Sequence, residues 1–197
     1  MDITRSMHDA RPDVQYPAPV ASHQGDVEHD EVRRSYGAMI ENIDRHVGRF
    51  VDLVRARGEL DDTLIVYCSD HGEMLGDHGE EGHSFYPYQS AIRIPLIFKL
   101  PRNAYAERIA DPCSIIDIAP TSLALAGIAA PGKMQGINLR PPAGGATETH
   151  PGNRALYAES LTPAKYNANG LLSIVSGDWQ YIQTTHPELY NRVADPG

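Results

Sequence analysis

The chain has 197 residues, a net charge of −9, nine histidines and two cysteines. Its 41% hydrophobic content is enough for a packed core and excludes a disordered chain. The acidic balance, with no Lys/Arg cluster, argues against nucleic-acid binding but admits an anionic small molecule, because a bound cation reverses the local field.

Residues 1–29 lack hydrophobic periodicity and carry Pro12, Pro17 and Pro19, so they read as an irregular segment. The segment has no apolar core of the kind a signal peptide needs. Nor does the chain contain the roughly 18 consecutive apolar residues of a membrane span. Localisation is left open. Asp30 caps a predicted helix over 30–57, whose apolar positions Val32, Tyr36, Met39, Ile40, Ile43, Val47, Phe50, Val51 and Val54 form a stripe of helical period. Gly58 ends it.

A strand is predicted over 63–68, where Leu64, Ile65, Val66 and Tyr67 form the continuous apolar run of a parallel strand covered on both faces. Residues 92–98 and 114–118 read as two more strands of the same sheet, with the 30–57 helix packed on one face. A helix over 119–126 follows. Residues 129–153 are rich in Pro and Gly and form a long connection. Beyond it the pattern changes to short strands at 155–158, 171–175 and 179–183, with Ser176-Gly177-Asp178 as a hairpin turn. Residues 30–153 are therefore expected to be α/β core, and 154–197 a small antiparallel subdomain. Cys68 and Cys113 have no metal or redox spacing and read as buried thiols.

The chemistry concentrates in SDHGEMLGDHGEEGH, Ser69 to His83. In open α/β sheets, ligands bind just past the carboxyl ends of the strands. An Asp70-His71 pair issuing from that edge, followed by Gly72, has the makings of a metal site. Glu73, Asp77, Glu80 and Glu81 follow, with His78 and His83 among them. Glu73 is the acidic residue best placed to back the metal ligands, and His78 reads as a loop histidine bonded to neighbouring carboxylates. Tyr86 and Tyr88 read as packing residues.

Five blocks in order resemble the C-terminal part of a sulfatase of the alkaline phosphatase superfamily. These are Tyr36–Asp62, Thr63–Gly79, Ile92–Pro101, Ile116–Gly136 and Trp179–Gly197, within residues 31–197. The resemblance implies the α/β sulfatase sheet sandwiched by helices, with a small C-terminal antiparallel sheet. It implies sulfuric ester hydrolysis, with Asp70 and His71 as metal ligands and Ca²⁺ as the cation. A histidine ligand by its own chemistry suits Mn²⁺ or Zn²⁺.

The family's C/S-x-P-S-R motif, source of its formylglycine nucleophile, is absent from these 197 residues. So is the early Asp-Asp pair that completes its metal site; Asp61-Asp62 precedes the strand, at the wrong edge. The chain is therefore expected to be truncated at both ends and inactive alone. His83 stands where the family commonly carries a sulfate-binding Lys. Three roles are open to it: general acid and sulfate contact, metal ligand as in two-metal phosphohydrolases, or loop residue. A phosphodiesterase or phosphonate monoester hydrolase is the alternative activity, and a non-catalytic truncated product the alternative class. The expected partner is a small sulfate or phosphate ester, with no nucleic acid and no membrane; the oligomeric state is open.

Overall fold

The computed structural model describes residues 26–80, 82–103, 108–109, 111–139 and 154–194. Expectations for 1–25 and most of the 129–153 connection lie outside them. Helix α1 spans Asp26–Ala56, starting ahead of Asp30. It is followed by strand β1, Ile65–Cys68, a helical turn α2, Gln89–Ile92, strand β2, Leu96–Lys99, and helix α3, Ile118–Leu125. Strands β3 (Leu156–Ser160), β4 (Leu171–Ser176), β5 (Trp179–Gln183) and β6 (Glu188–Asn191) complete the order. No helix among the described residues is long and apolar enough to cross a membrane.

The α/β class holds, but the first sheet differs from expectation. β1 pairs antiparallel with β2, Ile65 opposite Lys99 and Cys68 opposite Leu96, rather than lying inside a parallel sheet. β2 is also shorter at its start than predicted. Residues 89–92 turn helically because the Tyr88 carbonyl accepts from the amides of both Ala91 and Ile92, each at 3.0 Å, and the strand begins only after Pro95. The Lys99 ammonium donates to the Leu60 and Thr63 carbonyls, which pins the turn entering β1.

Residues 114–118 are no strand. They form a tight turn, Ile115–Asp117, leading into α3. Ser114 and Asp117 close a capping box, the Ser114 amide donating to Asp117 Oδ2 at 2.9 Å. This reciprocal pairing outweighs the β preference of two isoleucines. Asp117 is fully buried; it also accepts from the Ile137 amide at 2.8 Å and the Arg154 guanidinium at 2.7 Å. Gly136 is required here, since a Cβ would lie 2.0 Å from the Ile116 carbonyl oxygen.

The second sheet runs β3-β4-β5-β6, antiparallel throughout. Ser176 pairs with Trp179, leaving Gly177-Asp178 as a two-residue turn with Gly177 at φ 52°. Leu171, Ser173, Val175, Gln180 and Ile182 alternate onto a buried face. Against it pack Met74, Tyr86, Tyr88 and Ala91, with Phe85 and Tyr190 at the margin. The core thus lies directly behind the loop that leaves β1. Gln180 donates to the Pro87 carbonyl at 2.7 Å and accepts from Gln89 at 2.6 Å, fixing 86–91 on the sheet.

Two further expectations are corrected. Among the described residues the apolar stripe of α1 packs on no sheet: Val32, Met39, Ile40, Ile43 and Phe50 are exposed, and of the stripe only Val54 is buried. Cys68 and Cys113 are exposed rather than buried. Cys68 lies in the more exposed carboxyl half of β1.

Candidate functional site

Strand β1 delivers the chain into Ser69-Asp70-His71-Gly72 at its carboxyl edge. The Ser69 hydroxyl donates to the His71 carbonyl at 2.6 Å, and the His71 amide donates to Asp70 Oδ1 at 3.0 Å. That amide is the main reason the Asp70 carboxyl titrates below its ordinary range, so Asp70 is an anion at neutral pH. Gly72 passes hard against α2: its amide donates to the Ala91 carbonyl at 2.7 Å, and a Cβ would sit 2.0 Å from the Ser90 carbonyl oxygen.

His71 Nδ1 lies 2.8 Å from the Gly72 carbonyl. A carbonyl only accepts, so Nδ1 carries the proton and Nε2 keeps its lone pair. Nε2 in turn lies 3.7 Å from Asp70 Oδ2. In the neutral ring two electron-donating atoms thus face each other, at a separation that two ligands of one cation, each about 2.0–2.5 Å from it, can take up. The donor types fit a divalent cation as part of a ligand set. Among the described residues no three His, Cys, Asp or Glu side chains are so arranged that they could hold a metal ion.

The loop beyond is a tight hairpin. The Met74 amide donates to the Gly82 carbonyl at 3.1 Å, and the Gly76 amide to the Glu80 carbonyl at 2.7 Å. Leu75, Gly76, His78 and Gly79 all have positive φ. Arg33 of α1 donates to the Leu75 carbonyl through Nε at 3.2 Å and Nη2 at 3.1 Å. This register sets Glu73 opposite His83, whose Nδ1 lies 3.0 Å from Glu73 Oε2 and 3.2 Å from Oε1. The His83 ring stacks on His71 with centroids 4.0 Å apart. The four residues Asp70, His71, Glu73 and His83 therefore come together.

His78 points elsewhere. Its Nδ1 bonds Asp77 at 2.9 Å, and its ring stacks on Tyr88 at 3.9 Å. Asp77 also accepts from the Ser90 hydroxyl at 2.6 Å. Glu188 of β6 accepts from Tyr88 at 3.0 Å and from Tyr190 at 2.5 Å. Burial, with the Glu188 carboxylate beside it, drives the Tyr88 phenol far above its ordinary range. Sequence reasoning missed Ser90 and Glu188. Neither carries a local signal, because their partners lie on other elements.

A family model described as Sulfatase matches residues 3–128, more than half the chain. The chain belongs to the sulfatase family. A second model, N-sulphoglucosamine sulphohydrolase, C-terminal, matches residues 76–197. Among curated sulfatases, the segment is 35% identical to a choline-sulfatase of Rhizobium meliloti, over 87% of this chain and 33% of that protein. It is 32% identical to an N-acetylglucosamine-6-O-sulfatase of Bacteroides thetaiotaomicron, over 85% of this chain and 31% of that one. The sulfatase segment thus spans about a third of the length of these relatives. Among solved structures, it superposes on the phosphonate monoester hydrolase of Agrobacterium radiobacter with a TM-score of 0.75 and 26% identity, covering 89% of this chain and 38% of that chain. It also superposes, at TM-score 0.63 and 30% identity, on an enzyme solved with its substrate D-glucosamine-2-N,6-O-disulfate, covering 80% and 33%.

Proposed function

We infer that this segment supplies the strand-end half of the active site of a sulfuric ester hydrolase acting on a small sulfate ester. Asp70 and His71 would hold a divalent cation, Ca²⁺ by family resemblance, with Mn²⁺ or Zn²⁺ the alternatives that a histidine ligand admits. The observation that carries the reading is the geometry of the strand-end pair. His71 Nδ1 lies 2.8 Å from the Gly72 carbonyl, and Nε2 faces Asp70 Oδ2 at 3.7 Å. When bound, the cation supplies positive charge against the anionic ester oxygens. His83, stacked on His71, would present Nε2 to the ester and, protonated, donate to the departing alcohol oxygen. His78, Asp77 and Ser90 would brace the loop from behind.

Phosphonate monoester hydrolysis is the second reading, favoured by the superposition on the Agrobacterium radiobacter enzyme. The test joins this segment to an N-terminal portion carrying the C/S-x-P-S-R motif. Bound metal and turnover of an aryl sulfate and an aryl phosphonate are then measured. Asp70→Ala and His71→Ala should each strip the metal and abolish turnover. Full metal content in both variants would end the assignment. A preference for the phosphonate would select the second reading.

A further inference from the structure

We propose that Glu73 is a positioning residue for His83: it takes the Nδ1 proton and so fixes which ring nitrogen the histidine offers outward. The inference rests on the reading of His83 as the group that meets the ester, and deepens it. Three observations carry it. The first is backbone register. The bonds from Met74 to Gly82 and from Gly76 to Glu80 form a ladder in which Glu73 and His83 are the next opposed pair, so their meeting is built into the hairpin.

The second is the contact itself. Both Glu73 oxygens lie within 3.2 Å of the same ring nitrogen, and the Glu73 side chain is only 19% exposed. A carboxylate at neutral pH has no proton to give, so Nδ1 must donate. Nε2 is then left available, and no described residue bonds to it. The third is the parallel with His71. There a carbonyl, not a carboxylate, takes the Nδ1 proton, and the two rings stack at 4.0 Å. Each imidazole is thereby held by its Nδ1 and offers its Nε2.

Glu73 bonds His83 rather than Asp70 or His71, its nearer neighbours in the sequence. Its partner lies ten residues on. A free histidine favours the opposite tautomer, with the proton on Nε2. The Glu73 contact must reverse that preference, and this makes the role measurable without substrate or metal.

The experiment is nitrogen-15 NMR of the imidazoles in the 197-residue chain, at a pH where the histidines are neutral. His83 should show a protonated Nδ1 and an unprotonated Nε2. In Glu73→Ala the two resonance types should exchange between the nitrogens, while the amide signals of β3–β6 stay in place. An Nε2-protonated His83 in the unmodified chain overturns the proposal, even if Glu73→Ala fails to fold. So does a tautomer unchanged in a folded Glu73→Ala. A His83→Ala enzyme with undiminished turnover would defeat the hydrolase role of His83 instead, and would leave the tautomer result standing.

Discussion

At the scale of single residues, the strand-end candidates Asp70 and His71 were legible and the contacts of their neighbours were not. Asp70 and His71 announce themselves because an apolar strand ends on them, and strand ends in α/β folds point at ligands. The Glu73–His83 contact depends on a hairpin register that no periodicity in the sequence records. Asp117 was hidden for a related reason: its partners Ile137 and Arg154 lie far along the chain. Burial pushes the Asp117 carboxyl up, but the Arg154 guanidinium and the Ile137 and Ser114 amides outweigh it and hold it below the ordinary value. A carboxylate with a depressed folded pKa stabilises above its unfolded pKa of about 3.9, and that contribution is lost as pH falls through the folded value. Asp117→Asn should therefore cost about 3–5 kcal/mol at pH 7, as breaking one side of a buried ion pair does. Urea unfolding at a series of pH values should show the difference shrinking as pH falls below the unfolded value of about 3.9 and through the lower folded value. A difference independent of pH would exclude this ion pair as its source.

At the scale of elements, local chemistry overruled β propensity twice. Ser114-Ile115-Ile116-Asp117 is a capping signature as much as an apolar run, and the cap won. Residues 89–92 turned helical ahead of Pro95, shortening the second strand. The C-terminal strands were read more closely, because alternation on a half-buried sheet is a direct signal. The join between β1 and its loop has one strict requirement, at Gly72. Its missing Cβ would overlap the Ser90 carbonyl, whereas a Cβ at Gly48 in α1 would meet nothing within 4 Å. Gly72→Ala should lower stability by about 1–3 kcal/mol, the usual cost of overpacking. Gly48→Ala should raise it by up to about 1 kcal/mol through helix propensity. Thermal melts of the two variants should move in opposite directions; a Gly72→Ala variant as stable as the parent would contradict the close approach.

At the scale of the whole molecule, the sequence showed which faces are apolar but not what covers them. The α1 stripe was expected against a sheet, yet it stands exposed. The outer face of the C-terminal sheet carries a second exposed row, Tyr157, Ile174, Tyr181 and Leu189, paired in register across all four strands. Apolar areas of this kind drive association. Ile40→Glu combined with Ile43→Glu should leave unfolding stability within about 0.5 kcal/mol per site, as for other surface changes, and should reduce self-association in light scattering. A large loss of stability would mean that α1 packs its stripe after all.

The proposed division of roles gives the cation to Asp70 and His71 and the leaving group to His83. It is tested most directly by His83→Ala in the segment joined to a nucleophile-bearing portion, assayed on esters with poor and with activated leaving groups alongside metal content. The poor leaving groups should slow by roughly 10²–10⁴-fold, the range of a lost general acid. The activated esters should slow far less, and the metal should remain. Loss of the metal, or an equal effect on both ester classes, would contradict the account.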